Sequence, residues 1–248
     1  MRRLVALVLA VTVLAGACSD GDGGRHQVTV FAAASLTDVF KAMAKPFTAE
    51  HDNYALTFSF GGSQQLVTQL EQGARADAIA TADRATIERV PRRGPHRPPV
   101  VFAANRLVIA VRSGNPDGVR RVADLSRPGL RVVLAAPTVP AGRYARESLG
   151  RAHVTVNPVS LEDNVEGVVT KVGLGEADAG IVYATDVTPG RGIERIAIPD
   201  AENVRAEYLA NAVPFGDQRA GGQAFVDFLL SSRGQDVLRR FGFLPAPS

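Results

Sequence analysis

Hydroxyl side chains and backbone N–H groups stand where predicted strands turn into predicted helices, and both can donate hydrogen bonds to an anion. Ser35 and Ser63 each follow a short apolar stretch, and residues 138–142 and 162–165 form two later turns of the same kind. The first turn of a helix has N–H groups without intrahelical partners and roughly half a positive charge. Four such turns facing one cleft would suit an oxyanion without any charged side chain. Taken singly, each serine is also explained as an ordinary N-cap.

A strand–helix pattern predicts the elements that position these turns. Short runs of β-branched and apolar residues predict strands, and apolar residues spaced by three and four predict helices. The predicted strands are residues 28–32, 55–60, 78–80, 105–111, 131–135 and 179–183, with a further extended run at 204–213. The predicted helices begin at Ser35 and Ser63 and then cover residues 140–149, 162–174, 217–230 and 233–240. Asp38, three residues after Ser35, predicts a capping box, and residues 91–99 predict an exposed loop.

These elements predict an α/β protein of two lobes. Residues 28–106 and 208–248 would form lobe I, and residues 107–207 would form an inserted lobe II. The chain would cross between the lobes twice, and two crossings make a hinge. Ligands favour clefts between lobes and the carboxyl ends of parallel strands, so the cleft is the expected ligand site.

The composition limits the function. The 248 residues carry a formal net charge of +3, and 46% of them are hydrophobic, which is close to a globular average. Basic residues are interspersed with acidic ones, which argues against a nucleic-acid surface. A single cysteine excludes an internal disulfide and a thiolate metal cluster, and four well-separated histidines argue against a His-rich metal site.

The N-terminal residues have the pattern of an export signal. Arg2 and Arg3 precede an apolar run, residues 4–17, that is shorter than the roughly 20 residues needed to span a bilayer. Small residues leading to Cys18 resemble a bacterial lipoprotein signal, although Leu14 lies four residues before the cysteine and the usual pattern has it three before. We therefore expect residues 1–17 to be the signal peptide, Cys18 to be acylated and residues 18–27 to be a flexible tether. The alternative is a plain signal peptide with an incidental cysteine.

The motifs of the remaining chain together resemble one family. Residues 28–38, VTVFAAASLTD, resemble the start of the molybdate-binding proteins of ABC importers. Similar motifs follow in order up to residue 244, at residues 59–63, 73–77, 82–83, 105–108, 139–142, 180–183 with Asp186, and 240–243. The resemblance implies a type II periplasmic-binding-protein fold, in which each of two lobes is a mixed sheet flanked by helices. The Arg- and Pro-rich residues 92–97 depart from the family pattern.

The resemblance also implies a ligand and the residues that bind it. The family's binding positions fall on the side chains of Ser35, Ser63 and Tyr183 and on the backbone N–H groups of Ala141 and Val165. Molybdenum would be bound only as the molybdate oxyanion, and tungstate would bind similarly, with no other cofactor. The implied protein is an extracytoplasmic, lipid-anchored monomer without catalytic residues. Its partners would be the permease and ATPase of a molybdate importer.

Other functions remain open from the residues alone. A receptor for sulfate, phosphate or an organic acid would have the same lobes. Phosphate keeps a proton near neutral pH and needs an acceptor, for which Glu162 and Asp163 are the nearest candidates in sequence, unless they only complement a helix dipole. A hydrolase lacks support, because neither Ser35 nor Ser63 lies in a Gly-x-Ser-x-Gly elbow. A surface lipoprotein without a small ligand is the third alternative.

Overall fold

The computed structural model describes residues 24–94 and 97–246. The predicted signal peptide, Cys18 and most of the tether therefore lie outside the described residues. The described residues form nine strands: β1 (His26–Ala33), β2 (Tyr54–Gly61), β3 (Ala78–Thr81), β4 (Val100–Arg112), β5 (Val132–Ala135), β6 (Ser160–Glu162), β7 (Ala179–Tyr183), β8 (Ile193–Ala197) and β9 (Arg205–Ala212). The same part of the chain forms seven α-helices: α1 (Thr37–Glu50), α2 (Ser63–Glu71), α3 (Arg84–Ile87), α4 (Pro140–Arg151), α5 (Val165–Gly173), α6 (Arg219–Leu230) and α7 (Ser232–Arg240). Short 3-10 helices lie at Ala34–Leu36, Val122–Ser126 and Ala184–Asp186.

Strand β4 belongs to two groups of strands. The strand order is β2-β1-β3-β9-β4-β7-β5-β6, and β8 also pairs with β4. Residues 100–106 of β4 pair with β9, which in turn pairs with β3. Residues 107–112 pair with β7 and β8 instead. We call the group on the β9 side lobe I and the group on the β7 side lobe II.

Both lobes mix parallel and antiparallel pairs. In lobe I, β1 is parallel to β2 and β3, whereas β9 is antiparallel to β3. In lobe II, β5 is parallel to β6 and β7, whereas β4 is antiparallel to β7. Helices α1, α2, α3 and α6 pack on lobe I strands, and α4 and α5 pack on lobe II strands. Two lobes of mixed sheet flanked by helices confirm the predicted fold class.

An aromatic cluster fixes the C-terminal helices to lobe I. The Phe225 ring of α6 lies 5.2 Å from the Phe40 ring and 5.7 Å from the Phe47 ring, both on α1, measured between centroids. Phe228 lies 5.6 Å from Phe47 in the same edge-to-face manner. Such pairs add about 0.5–1.5 kcal/mol to the burial of their area. The chain thus returns to its first lobe after building the second.

Most predicted elements are present, with corrections at several ends. The extended run at 204–213 is β9, and the described part of residues 91–99 is irregular and mostly exposed, as predicted. The prediction of a capping box formed by Ser35 and Asp38 is wrong, because Ser35 lies inside a 3-10 helix and α1 has no side-chain cap. Helix α5 begins at Val165 rather than residue 162, since residues 160–162 pair with β5 and Asn164 provides the N-cap.

Candidate functional site

A cavity lies between the lobes at the carboxyl ends of β1, β2, β3 and β7. It contains about 220 Å³ of space between atoms, part of which is open to solvent. Lobe I contributes residues at the ends of β1 and β2 and just after them, together with Ala82 after β3. Lobe II contributes the starts of two helices and the last residue of β7. The lining residues are Ala33, Ala34, Ser35, Gly61, Gly62, Ser63, Ala82, Val139, Pro140, Ala141, Asn164, Val165 and Tyr183. The structure thus brings together all five residues that the sequence analysis assigned to the ligand.

The lining residues of lobe II are mainly helix starts. In α4 the backbone hydrogen bond of Arg143 to the Val139 carbonyl closes the first turn, so the N–H of Ala141 lies ahead of the intrahelical bonds. Pro140 at the first position has no N–H to leave unpaired. In α5 the Asn164 side chain accepts the N–H of Gly167 at 3.1 Å, and Val165 begins the helix. Both starts can therefore direct free N–H groups to an anion.

Each serine of the cavity already accepts one hydrogen bond from the protein. Ser63 is only 2% exposed, and its Oγ accepts the backbone N–H of Ala82 at 3.2 Å. The Oγ of Ser35 accepts the hydroxyl of Tyr208 at 2.9 Å. A serine hydroxyl has one proton and two acceptor lone pairs. Both serines therefore keep a proton for another acceptor.

The hydroxyl of Tyr183 is buried without a partner. Tyr183 is 1% exposed, and its Oη has no hydrogen-bond partner among the described residues. Burial raises the pKa of this phenol well above its usual value, and nearby Tyr208 raises it further. The backbone N–H of Tyr183 donates to Asp186 Oδ2 at 2.9 Å, which holds the end of β7 in place. Tyr183 thus offers a neutral O–H group at the cavity wall.

Comparisons with known proteins place the chain in a family. The profile of a family described as bacterial extracellular solute-binding protein matches residues 28–244. This chain belongs to that family. The molybdate-binding protein ModA of Mycobacterium tuberculosis is 38% identical over 224 residues, which cover 89% of this chain and 85% of that protein. ModA of Escherichia coli is 30% identical over 236 residues, covering 88% of each.

Solved structures share the fold of this solute-binding protein. The periplasmic molybdate-binding protein of Azotobacter vinelandii matches with a TM-score of 0.75 at 17% identity, covering 89% of this chain and 100% of that one. The sulfate-binding protein SubI of M. tuberculosis has the same TM-score at 18% identity, covering 89% and 87%. The family is one of solute receptors rather than a class of enzymes. The family match and the ModA relatives confirm the resemblance to the solute-binding proteins of ABC importers.

No charged residue lines the described part of the cavity wall. The two carboxylates considered as acceptors for a phosphate proton are not part of that wall. Burial raises the pKa of Glu162, but hydrogen bonds from Lys171 and Ser160 outweigh this effect and bring the pKa below its usual value. The Lys171 Nζ atom lies 2.8 Å from Glu162 Oε1. Asp163 is exposed, and its backbone carbonyl accepts the side chain of Gln64 at 2.8 Å.

Polar contacts hold the two lobes together around the cavity. Arg143 of α4 donates its Nε to Asp83 Oδ2 at 2.8 Å, and its Nη2 donates to Thr86 Oγ1 at 2.7 Å. Asp83 is 5% exposed and also caps α3. On the other side, Arg191 of lobe II approaches Asp38 of lobe I at 3.5 Å. These contacts join the lobes on two sides of the cavity.

Sequence reasoning missed the residues of these contacts. Asp83 lies in a motif that suggested the family, but the motif gave this residue no role. Arg143 follows the Val-Pro-Ala-Gly motif directly, and only its position beside a predicted cleft could have suggested a contact across that cleft.

Within the residues that the structure describes, no three His, Cys, Asp or Glu side chains form a possible metal site. No helix in residues 24–94 or 97–246 is long and apolar enough to cross a bilayer.

Proposed function

We propose that this chain is an extracytoplasmic receptor that binds molybdate, and also tungstate, and delivers it to the permease and ATPase of an ABC importer. The observation that carries the proposal is a cavity between two lobes whose polar groups are uncharged donors. The relatives named ModA in M. tuberculosis and E. coli support the choice of molybdate. Lobe II would close over lobe I about the two chain crossings near residues 105 and 208.

The donors suit the chemistry of molybdate. Molybdate is a dianion without a proton near neutral pH, so its oxygens only accept hydrogen bonds. We assign the donors to the hydroxyls of Ser35, Ser63 and Tyr183 and to the N–H groups of Ala141 and Val165. Each hydrogen bond to a charged group contributes about 1.5–3 kcal/mol net. Five such bonds reach the roughly 8–12 kcal/mol of micromolar to nanomolar binding, before the cost of closure.

Sulfate is the second candidate ligand. It is also a dianion without a proton, and the fold likeness to SubI is as high as that to the A. vinelandii molybdate-binding protein. A sulfate-binding protein of Synechococcus elongatus is 24% identical over 290 residues, covering 97% of this chain and 81% of that protein. Size would separate the two anions, since molybdate is the larger.

A ligand-dependent melt tests the proposed function. The chain from residue 19 onward is unfolded thermally with molybdate, tungstate, sulfate and phosphate in turn, each in large excess. A ligand at 100 times its Kd adds about 2.7 kcal/mol to the free energy of unfolding. We expect a clear rise in Tm with molybdate and tungstate, and none with the Ser35→Ala/Ser63→Ala variant. A rise in Tm with sulfate alone would identify sulfate as the ligand instead of molybdate. The absence of a rise in Tm with any of the four anions would contradict the proposed receptor function.

We further propose that Cys18 anchors the receptor to the membrane as a lipoprotein. It is the only cysteine in the chain, and it follows small residues at the end of an apolar run. A relative in Bacillus subtilis, 24% identical over 250 residues and covering 96% of each chain, has the name putative ABC transporter substrate-binding lipoprotein YvgL. Two acyl chains give stable anchoring where one is marginal. The Cys18→Ser variant should be absent from the membrane fraction of the cells. Its retention in that fraction would refute the proposed lipid anchor.

A further inference from the structure

A group of arginines surrounds the loop between β9 and α6 in lobe I. Arg75 Nη1 donates to the Phe215 carbonyl oxygen at 3.1 Å, and the Arg93 guanidinium carbon lies 5.2 Å from the centroid of the Phe215 ring. Arg92 lines a crevice next to this loop, and Arg219 begins α6. All four arginines are exposed. We call the surface formed by these arginines and Phe215 the basic edge.

The basic edge keeps a net positive charge. Arg75 pairs with Asp217 at 2.9 Å, so these two charges offset each other. Within the part of the chain that the structure describes, the other three arginines form no ion pair with a carboxylate. Glu88 is exposed near them in the sequence and offsets one of the three. The remaining charge can attract a negatively charged surface.

An apolar crevice opens beside these arginines. It contains about 540 Å³ of space between atoms, part of which is open to solvent. Its apolar walls are Ile87, Val90, Pro91, Pro98, Pro99 and Pro214. Asn211 also lines it and is 7% exposed, and its side chain has no hydrogen-bond partner among the described residues. Apolar walls with one buried amide and a neighbouring cation fit an amphiphile with an anionic head group.

The basic edge lies on the same side of lobe I as the start of the first strand. Strand β1 begins at His26 and runs parallel to β3. The first residue of β3, Ala78, pairs with Ala212, which is the last residue of β9. The start of β1 and the loop after β9 therefore share one edge of the sheet. The cavity lies at the opposite edge, at the carboxyl ends of β1 and β3.

The N-terminal segment enters the fold at this edge. Residues 18–23 can span at most about 20 Å between Cys18 and the first described residue. Attraction between exposed charges is screened beyond about 10 Å at 0.1 M salt, so a short connection favours contact. The nearness of the basic edge to the membrane rests on the proposed anchor at Cys18. An anchored receptor would hold this edge beside the lipid head groups.

We propose that the basic edge is a membrane-contact surface that binds anionic phospholipid. The lipid phosphate lies against Arg92 and Arg93, and the ester region enters the crevice, where the Asn211 amide donates to an ester carbonyl. An acidic protein would match the arginines but would leave the apolar walls and the buried amide without a role. The acyl chains on Cys18 hold the receptor at the membrane, and the basic edge fixes which side of lobe I faces it.

Vesicle binding by the chain from residue 19 onward tests this surface without the anchor. Co-sedimentation is measured with vesicles of phosphatidylglycerol and phosphatidylcholine, and with vesicles of phosphatidylcholine alone, at about 0.1 M salt. We expect at least about tenfold stronger partitioning onto the anionic vesicles. Equal partitioning onto both vesicles, or none onto either, would overturn the proposal. The molybdate melt and the fractionation of Cys18→Ser are separate measurements, so the receptor, the anchor and this surface can fail independently.

Two variants with the same change in charge locate the contact. Each basic residue close to an anionic surface strengthens binding about fivefold, so Arg92→Gln/Arg93→Gln/Arg219→Gln should weaken partitioning onto anionic vesicles more than about tenfold. The control replaces three exposed arginines of lobe II, in Arg120→Gln/Arg127→Gln/Arg195→Gln. It should stay within about twofold of the native chain. Equal losses in the two variants would show that only net charge matters and would overturn the proposed surface.

Asn211→Ala tests the crevice with the charge unchanged. The Asn211 side chain has no hydrogen bond to another described residue, so its removal breaks no such bond. We expect partitioning onto anionic vesicles to fall at least about threefold. Unchanged partitioning would overturn the crevice as the lipid's binding site. Soluble polyglutamate represents an acidic protein partner, and binding to it as strong as binding to the anionic vesicles would show that the surface is not specific for lipid.

Discussion

The Tyr183 hydroxyl is a buried polar group that the protein alone leaves without a partner. An unpaired buried polar group costs about 1–3 kcal/mol, so a fold retains one where a ligand or a water supplies the missing bond. Removing the hydroxyl should therefore affect binding and stability in opposite directions. Tyr183→Phe should leave the free energy of unfolding without ligand unchanged or slightly higher. It should weaken molybdate binding about tenfold, as calorimetry can measure.

Tyr54→Phe is the matched control for this prediction, because it removes the same group outside the cavity. It should leave the affinity for molybdate unchanged. An affinity of Tyr183→Phe equal to that of the native chain would show that the hydroxyl does not face the ligand.

At the scale of residues, the sequence could predict that a serine lies at a turn between a strand and a helix. It could not predict which group forms a hydrogen bond with that serine. Ser35 and Ser63 follow strands in the sequence, and the resemblance assigned them to the ligand before any distance was known. Tyr208 lies 173 positions from Ser35, and nothing in the sequence between them indicates that their hydroxyls meet. Local patterns predict local structure, whereas a hydrogen bond between distant segments depends on how the strands pair.

At the scale of elements, α4 must approach β5 closely to direct Ala141 into the cavity. A Cβ atom on Gly142 would lie 2.0 Å from the Ala136 carbonyl oxygen and 2.4 Å from that of Ala135. Gly142→Ala should therefore push the helix start away from the strand, lowering both Tm and molybdate affinity. Overpacking of this kind costs typically about 1–3 kcal/mol. Thermal unfolding with and without molybdate measures both effects.

Gly150 in the same helix is the control for this change. Nothing lies within 4 Å of a Cβ atom built there, and alanine is the better helix former by about 1 kcal/mol. Gly150→Ala should raise Tm slightly and leave binding unchanged. If Gly142→Ala behaved like Gly150→Ala, the close packing of α4 on β5 would not position the site.

Sequence patterns missed three short elements. Strand β6 has three residues, β8 has five and α3 has four, and they lack the apolar run that revealed the equally short β3 and β5. The 3-10 helix at Ala34–Leu36 was missed for another reason. Ser35 and Asp38 have the residue types of a capping box, but the chain turns one residue earlier and Ser35 bonds to Tyr208 instead. A tertiary contact thus replaced the local cap.

At the scale of the whole molecule, the ion pair of Arg143 with Asp83 joins the lobes without touching the cavity wall. It can therefore change the population of the closed form while leaving every assigned donor in place. The apparent affinity of a receptor falls in proportion to the fraction that is competent to bind. Arg143→Met keeps most of the apolar stem but leaves the buried Asp83 carboxylate without its cation. We expect a loss of molybdate affinity of about tenfold, with a larger radius of gyration before ligand is added.

Arg239→Met is the matched control, because the Arg239 side chain pairs with Asp236 inside α7. It should leave both the radius and the affinity unchanged. Small-angle scattering with and without molybdate shows whether the variant changes lobe closure or the contacts to the ligand. If Arg143→Met acts on closure, saturating molybdate restores the native radius of gyration, although a higher molybdate concentration is needed. A variant that stays expanded at saturation would show that the ion pair is required for the closed structure itself. A variant with native affinity would show that the ligand's own hydrogen bonds are sufficient to hold the lobes together.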